Sequence, residues 1–212
     1  MAEDRIERRI NRPLGLIVHS LADINDRLDQ GQYFFKDIRE EGILLYSAEK
    51  RELALPGNLT VAERKQISEK YFQQWFPSAY VNWEVYEVVM AKDLTKKEYI
   101  NNAAFNLHQA TERLYSCVLL VITHYLPKTH DIERFRSFCI QQDERFIEQF
   151  PMDNRFHRRS FQRLKRAYVD ARYSMHYEIT VEELEWLAEE VTRLQKLVEE
   201  VCQSWIDSLN DS

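Results

Sequence analysis

All four glycines of this 212-residue chain, Gly15, Gly31, Gly42 and Gly57, lie in its first 57 residues. A long stretch without glycine cannot hold many tight hairpins, because their turns need residues at positive φ. It can readily be helical. The composition changes at Pro56-Gly57-Asn58, which places a domain boundary there, with residues 1–57 on one side and 58–212 on the other.

The second part carries helix signals throughout. Thr60-x-x-Glu63, Thr95-x-x-Glu98 and Thr180-x-x-Glu183 have the capping-box form, and each precedes apolar residues three and four apart. The first helix runs from Thr60 to about Ala91 and is rich in aromatics, with Pro77 expected to kink or split it. The second carries Ala104, Leu107, Ala110, Leu114, Val118, Val121 and Tyr125, and stops before Pro127. A shorter helix follows Thr129-His130-Asp131 with Ile132, Phe135 and Cys139 inward. Another spans about Arg155 to Tyr173, with Phe161, Leu164 and Tyr168 inward. The last runs from Leu184 through Val191 and Val198 to Trp205. The fold class is therefore mainly α, an antiparallel bundle of about five helices.

Residues 1–57 read as a small α/β fragment. Leu14–Val18 is a short apolar run like a strand, Ser20 caps a helix that Gly31 ends, and a second helix covers about Tyr33 to Glu41. Ile43–Tyr46 is the second strand candidate. Two short strands make no stable sheet alone, so they either pair with something else or lie against the bundle.

The formal charge of −6 argues against wholesale wrapping by nucleic acid but leaves room for a local basic groove. No apolar run approaches the ~20 residues that cross a bilayer, and the first residues lack a signal peptide's apolar core. Cys117, Cys139 and Cys202, odd in number and within apolar helical patterns, read as free thiols in a reducing cytoplasm. No His/Cys pair has zinc spacing, so neither a metal nor another cofactor is expected.

The chemistry concentrates in Arg166–Tyr177. Arg172 and His176 stand four apart, with Tyr173 and Tyr177 beside them. A guanidinium that stays charged, an imidazole that titrates and two phenols together offer phosphate recognition and proton transfer. Arg158, Arg159, Arg163 and Arg166 precede them, whereas the last helix is rich in glutamate. Either the basic run forms a phosphate groove, or the two helices neutralise each other. His108 faces either a ligand pocket or the core. His130 beside Asp131 reads as part of a helix cap.

Three separated segments, Ala103–Tyr115, Pro127–Asp131 and Ala167–Tyr173, resemble the HEPN family in the family's order, and the likeness extends over roughly residues 60 to 210. That resemblance implies a helical domain, often fused to or encoded with a minimal nucleotidyltransferase. Phe34–Tyr46, after Ile17-Val-His-Ser20, resembles the tail of such a nucleotidyltransferase, which makes residues 1–57 a remnant of its α/β domain. The chain has no Gly-Ser dipeptide and no Asp-x-Asp to hold triphosphate and Mg²⁺, so no nucleotidyltransferase activity is expected of it.

Many members are metal-independent endoribonucleases with an Arg and a His that two protomers bring together at a dimer interface. The resemblance implies a homodimer and assigns such roles to Arg172 and His176, with Tyr177 as a hydrogen-bond donor. Arg158, Arg159, Arg163, Arg166, Tyr173 and His108 then become the candidate contacts to nucleotide or RNA. Only three residues separate Arg172 from His176, closer than the family's usual spacing. Three functions follow: a nucleotide- or RNA-binding module in a nucleotidyltransferase-linked, toxin–antitoxin or defence-like system, an endoribonuclease, or a structural dimerisation domain.

Overall fold

The computed structural model describes residues 17–47 and 52–209, and divides the chain into two compact units, Met1–Asn58 and Leu59–Ser212. Among the described residues there are seven α-helices and no strand.

In the first unit, α1 (Leu21–Asp29) starts where the Ser20 hydroxyl accepts from the Asp23 N–H, and Gly31 leaves it at φ 66°. The second helix, α2 (Tyr33–Glu41), follows directly. Leu28 and Phe35 are its small buried centre. Gly57 closes the unit by donating its N–H to the Leu28 carbonyl at 2.7 Å, where an added Cβ would lie 2.2 Å from the Asp29 carbonyl oxygen. The strands of the expected α/β fragment are not formed among the described residues. Ile43–Tyr46 pairs with no strand, and its four side chains are 80–91% exposed. Of the other strand candidate, residues 14–16 lie outside the described residues, and Ile17 and Val18 belong to no strand.

The second unit is the helical bundle: α3 (Val61–Met90), α4 (Lys97–Thr123), α5 (Ile132–Gln142), a 3₁₀ turn (Glu144–Glu148), α6 (Arg155–Tyr173) and α7 (Val181–Ser208). Thr60 and Thr180 form their capping boxes. The box expected at Thr95 does not form, because the Thr95 hydroxyl and N–H both bond Asp93, so α4 begins at Lys97 without a side-chain cap. Pro77 does not split α3, which runs unbroken across it.

The centre of the bundle is α4, apolar around most of its circumference and packed against α3, α5, α6 and α7. Neighbours run antiparallel: Ser68 and Ser78 of α3 bond Val121 and Arg113 of α4, while Asn101 and His108 of α4 bond Ala171 and Leu164 of α6. Cys117, Cys139 and Cys202 are buried free thiols. No described helix is long and apolar enough to cross a membrane.

Candidate functional site

The antiparallel pairing of α4 with α6 sets the first turns of α4 beside the last turn of α6. On α4, Asn101, Phe105, His108 and Glu112 are spaced four, three and four, which is one helical face. On α6, Leu164, Tyr168 and Arg172 oppose it.

Arg172 Nε donates to the Tyr168 carbonyl at 2.7 Å, and the guanidinium lies over three rings: Phe105 at 4.8 Å, Tyr168 at 4.7 Å and Tyr173 at 5.0 Å. Among the described residues no carboxylate pairs with it. It stands at a cleft of about 620 Å³ lined by Lys97, Asn101, Phe105, Arg172, Tyr173 and Met175, among others. Lys97 Nζ donates to the Met175 carbonyl at 2.8 Å and Asn101 Nδ2 to the Ala171 carbonyl at 3.2 Å. These two bonds fix the end of α6 and the following turn to the start of α4. Tyr173 is 75% exposed, so its ring stands open to solvent at the cleft.

Behind the cleft lies a polar cluster. Burial raises the Glu112 carboxyl, but the imidazoles of His108 and His130 beside it outweigh burial and hold the group below its ordinary value. His130 Nδ1 lies 3.1 and 3.2 Å from the two Glu112 oxygens. Its ring stacks on Tyr168 at 4.2 Å with 17° between planes.

The other residues singled out in the sequence divide sharply. His176 lies outside the helix: α6 ends at Tyr173, so Arg172 and His176 share no helical face, and the exposed imidazole does not line the Arg172 cleft. Tyr177 is buried; its hydroxyl donates to the Arg163 carbonyl at 3.0 Å, and burial pushes the phenol well above its ordinary value. It fastens the turn to α6 and is not free to donate to a ligand. His108 is wholly buried, with Nδ1 donating to the Leu164 carbonyl at 2.9 Å, and so belongs to the core.

Of the two readings of the basic run, phosphate groove or neutralisation by the last helix, the contacts of its arginines favour the second in part. Arg159 and Arg163 both donate to the buried Glu183 at 2.5 Å, Arg158 donates to the Met152 carbonyl, and Arg166 pairs with Asp170 at 2.6 Å. The mutual neutralisation of α6 and α7 accounts for Arg159 and Arg163. Of the basic residues named in the sequence, Arg172 is the one at the cleft. Lys97, Asn101, Phe105 and Glu112 were missed, although polar and aromatic residues at helical spacing on an otherwise apolar helix were there to be read.

The domain family known as HEPN matches residues 86–204, from the last turn of α3 through nearly all of α7. The chain belongs to the HEPN family. The matched span contains the whole α4–α6 cleft, so Arg172, its three rings and the Glu112 cluster are parts of the HEPN domain itself. No curated protein matches the chain. Among the described residues, no group of three His, Cys, Asp or Glu side chains is placed to hold a metal ion.

Proposed function

We propose that this HEPN domain is a nucleotide- or RNA-binding module whose ligand seats in the Arg172 cleft. The observation that carries the reading is the Arg172 guanidinium itself, held on three rings yet without a carboxylate partner among the described residues. Rings against the guanidinium leave its N–H edge to donate, which is the geometry that takes phosphate oxygens. Lys97 supplies a second cation, and Tyr173 offers an open ring on which a base stacks. The cleft's size falls within the ~300–1,000 Å³ of small-molecule sites.

Binding is favoured over RNA cleavage because His176 stands outside the cleft, where its backbone N–H donates to Ser174 Oγ. Pairing of two copies belongs to the same reading, supported by the exposed apolar rim of Val169, Tyr173 and Met175 beside Arg172. So does association with a nucleotidyltransferase, supported by the exposed apolar Ile43–Tyr46, whose unpaired form suits addition to another sheet.

The test is thermal unfolding of the purified chain with ATP, paired with incubation of total RNA in EDTA. Millimolar ATP should raise the melting temperature of wild type but not of Arg172→Ala. No shift in wild type overturns the reading. RNA fragments that disappear with His176→Ala would replace it with the endoribonuclease.

A further inference from the structure

Resting on that reading, we infer that His130 and Tyr168 are positioning residues for Arg172: a stack anchored on Glu112 holds the guanidinium where it meets the ligand's phosphate. The argument starts from what otherwise restrains the arginine. Its side chain has one hydrogen bond, from Nε to a carbonyl of its own helix, which fixes the stem and leaves the guanidinium plane to turn. An arginine with a free head carries rotamer entropy that a ligand must overcome on binding. The aromatic contacts limit that freedom. Phe105 is presented by the centre of the bundle and Tyr173 is largely exposed, so Tyr168 is the contact that a second ring braces.

Tyr168 cannot hold its own plane by hydrogen bonding to a neighbour, because none of the described residues bonds its hydroxyl. Two imidazoles brace it instead: His130 stacks on it nearly parallel at 4.2 Å, and the buried His108 lies tilted against it at 5.5 Å. His130 in turn is more than half exposed and precedes the Asp131 cap of α5, so without an anchor it would move with solvent. Glu112 is that anchor, with both carboxylate oxygens within 3.2 Å of Nδ1. Glu112 sits on α4 one turn beyond His108, which is itself fixed to α6 through the Leu164 carbonyl. The sequence of contacts from the core outward is Glu112, His130, Tyr168, Arg172. Each link is a direct contact, and only the last side chain lines the cleft.

The chain of contacts explains why a carboxylate is kept below its ordinary range in a part-buried place. It also explains why His130, which looked like part of a helix cap, has its ring turned onto α6. Neighbouring charges do not compete for the imidazole: Lys165 of α6 pairs with Asp131 and Glu133 at the start of α5.

The test is fluorescence titration of labelled ATP against folded variants, with circular dichroism and melting temperature as controls. His130→Ala and Tyr168→Leu should each weaken binding about tenfold, the scale of a cation–π and stacking contact near a charged group. Tyr168→Phe, which keeps the ring, should restore binding to wild type. The deciding arm is the double variant: in an Arg172→Ala background, adding His130→Ala should change nothing further. If wild type does not bind the probe, the nucleotide-binding reading itself fails. If wild type binds and Arg172→Ala binds more weakly, yet Tyr168→Leu binds like wild type, Tyr168→Phe binds as poorly as Tyr168→Leu, or His130→Ala weakens the Arg172→Ala variant further, the positioning role is overturned and the stack is a packing feature.

Discussion

Replacing Glu183 with alanine should destabilise the bundle by about 3 kcal/mol, because one side chain performs three jobs. It sits at the third position of α7, where its carboxylate accepts the Thr180 N–H at 2.9 Å to complete the capping box. It also receives Arg159 Nε and Arg163 Nη1, each at 2.5 Å, while wholly buried itself. Losing the box costs about 1 kcal/mol. Each charge-assisted bond to a buried carboxylate is worth about 1.5–3 kcal/mol. Arg159 is half exposed and rehydrates when released, so about 1 kcal/mol per arginine is the fair figure.

The effect has a pH signature. Burial pushes the Glu183 carboxyl up, but the bonds from Thr180, Arg159 and Arg163 prevail and hold it below its ordinary 4.5. A carboxyl whose folded value is depressed contributes its stability above the unfolded value and loses it as pH falls through the folded one. The gap between wild type and Glu183→Ala should therefore be full at pH 7 and shrink below pH 4.5. Urea unfolding at both ends of that range measures it. Equal midpoints at neutral pH, or a gap unchanged in acid, would refute the assignment of Arg159 and Arg163 to structure.

Three further outcomes follow from the same contacts. Burial and the nearby Arg64 charge lower His124 to about 4, so wild type should lose stability as pH falls from 6.5 towards that value, while the unfolded chain takes up a proton that the folded chain refuses. His124→Asn, suited to the left-handed φ of 55°, should flatten this by roughly 2–3 kcal/mol in melts across that range. Tyr177→Phe should cost about 1 kcal/mol of stability through the lost bond to Arg163 and leave ATP affinity unchanged, as read by urea unfolding and titration. Arg158→Ala and Arg166→Ala should each leave affinity within about twofold of wild type; a loss comparable to Arg172→Ala would restore the basic groove.

The helix starts were legible because capping is a local bargain between a side chain and backbone N–H groups two or three residues on. Ser20, Thr60, Asp131 and Thr180 all strike it in the structure. Thr95 does not, for an equally local reason: Asp93 lies closer and takes its hydroxyl. The buried faces of α4, α5 and α7 were legible too, since residues three and four apart must face one way on a helix. The absence of glycine beyond residue 57 pointed to helices before any motif did.

The partners of the charges were beyond the sequence. Arg159 and Arg163 look as available as Arg172 in a basic run, and only the packing of α6 against α7 spends the first two on Glu183. Arg172 stays at the cleft because Phe105 of α4 lies under its guanidinium and Glu98, on the same cleft wall, forms no ion pair with it. His176 leaves the site because α6 ends three residues before it, and Tyr177 leaves because the turn buries it against Arg163. Sequence spacing thus determined the helices and the faces they bury. Which charge meets which, and which is left for a ligand, depended on how those faces were brought together, because ion pairs and ring stacks act over a few ångströms between residues far apart in the chain.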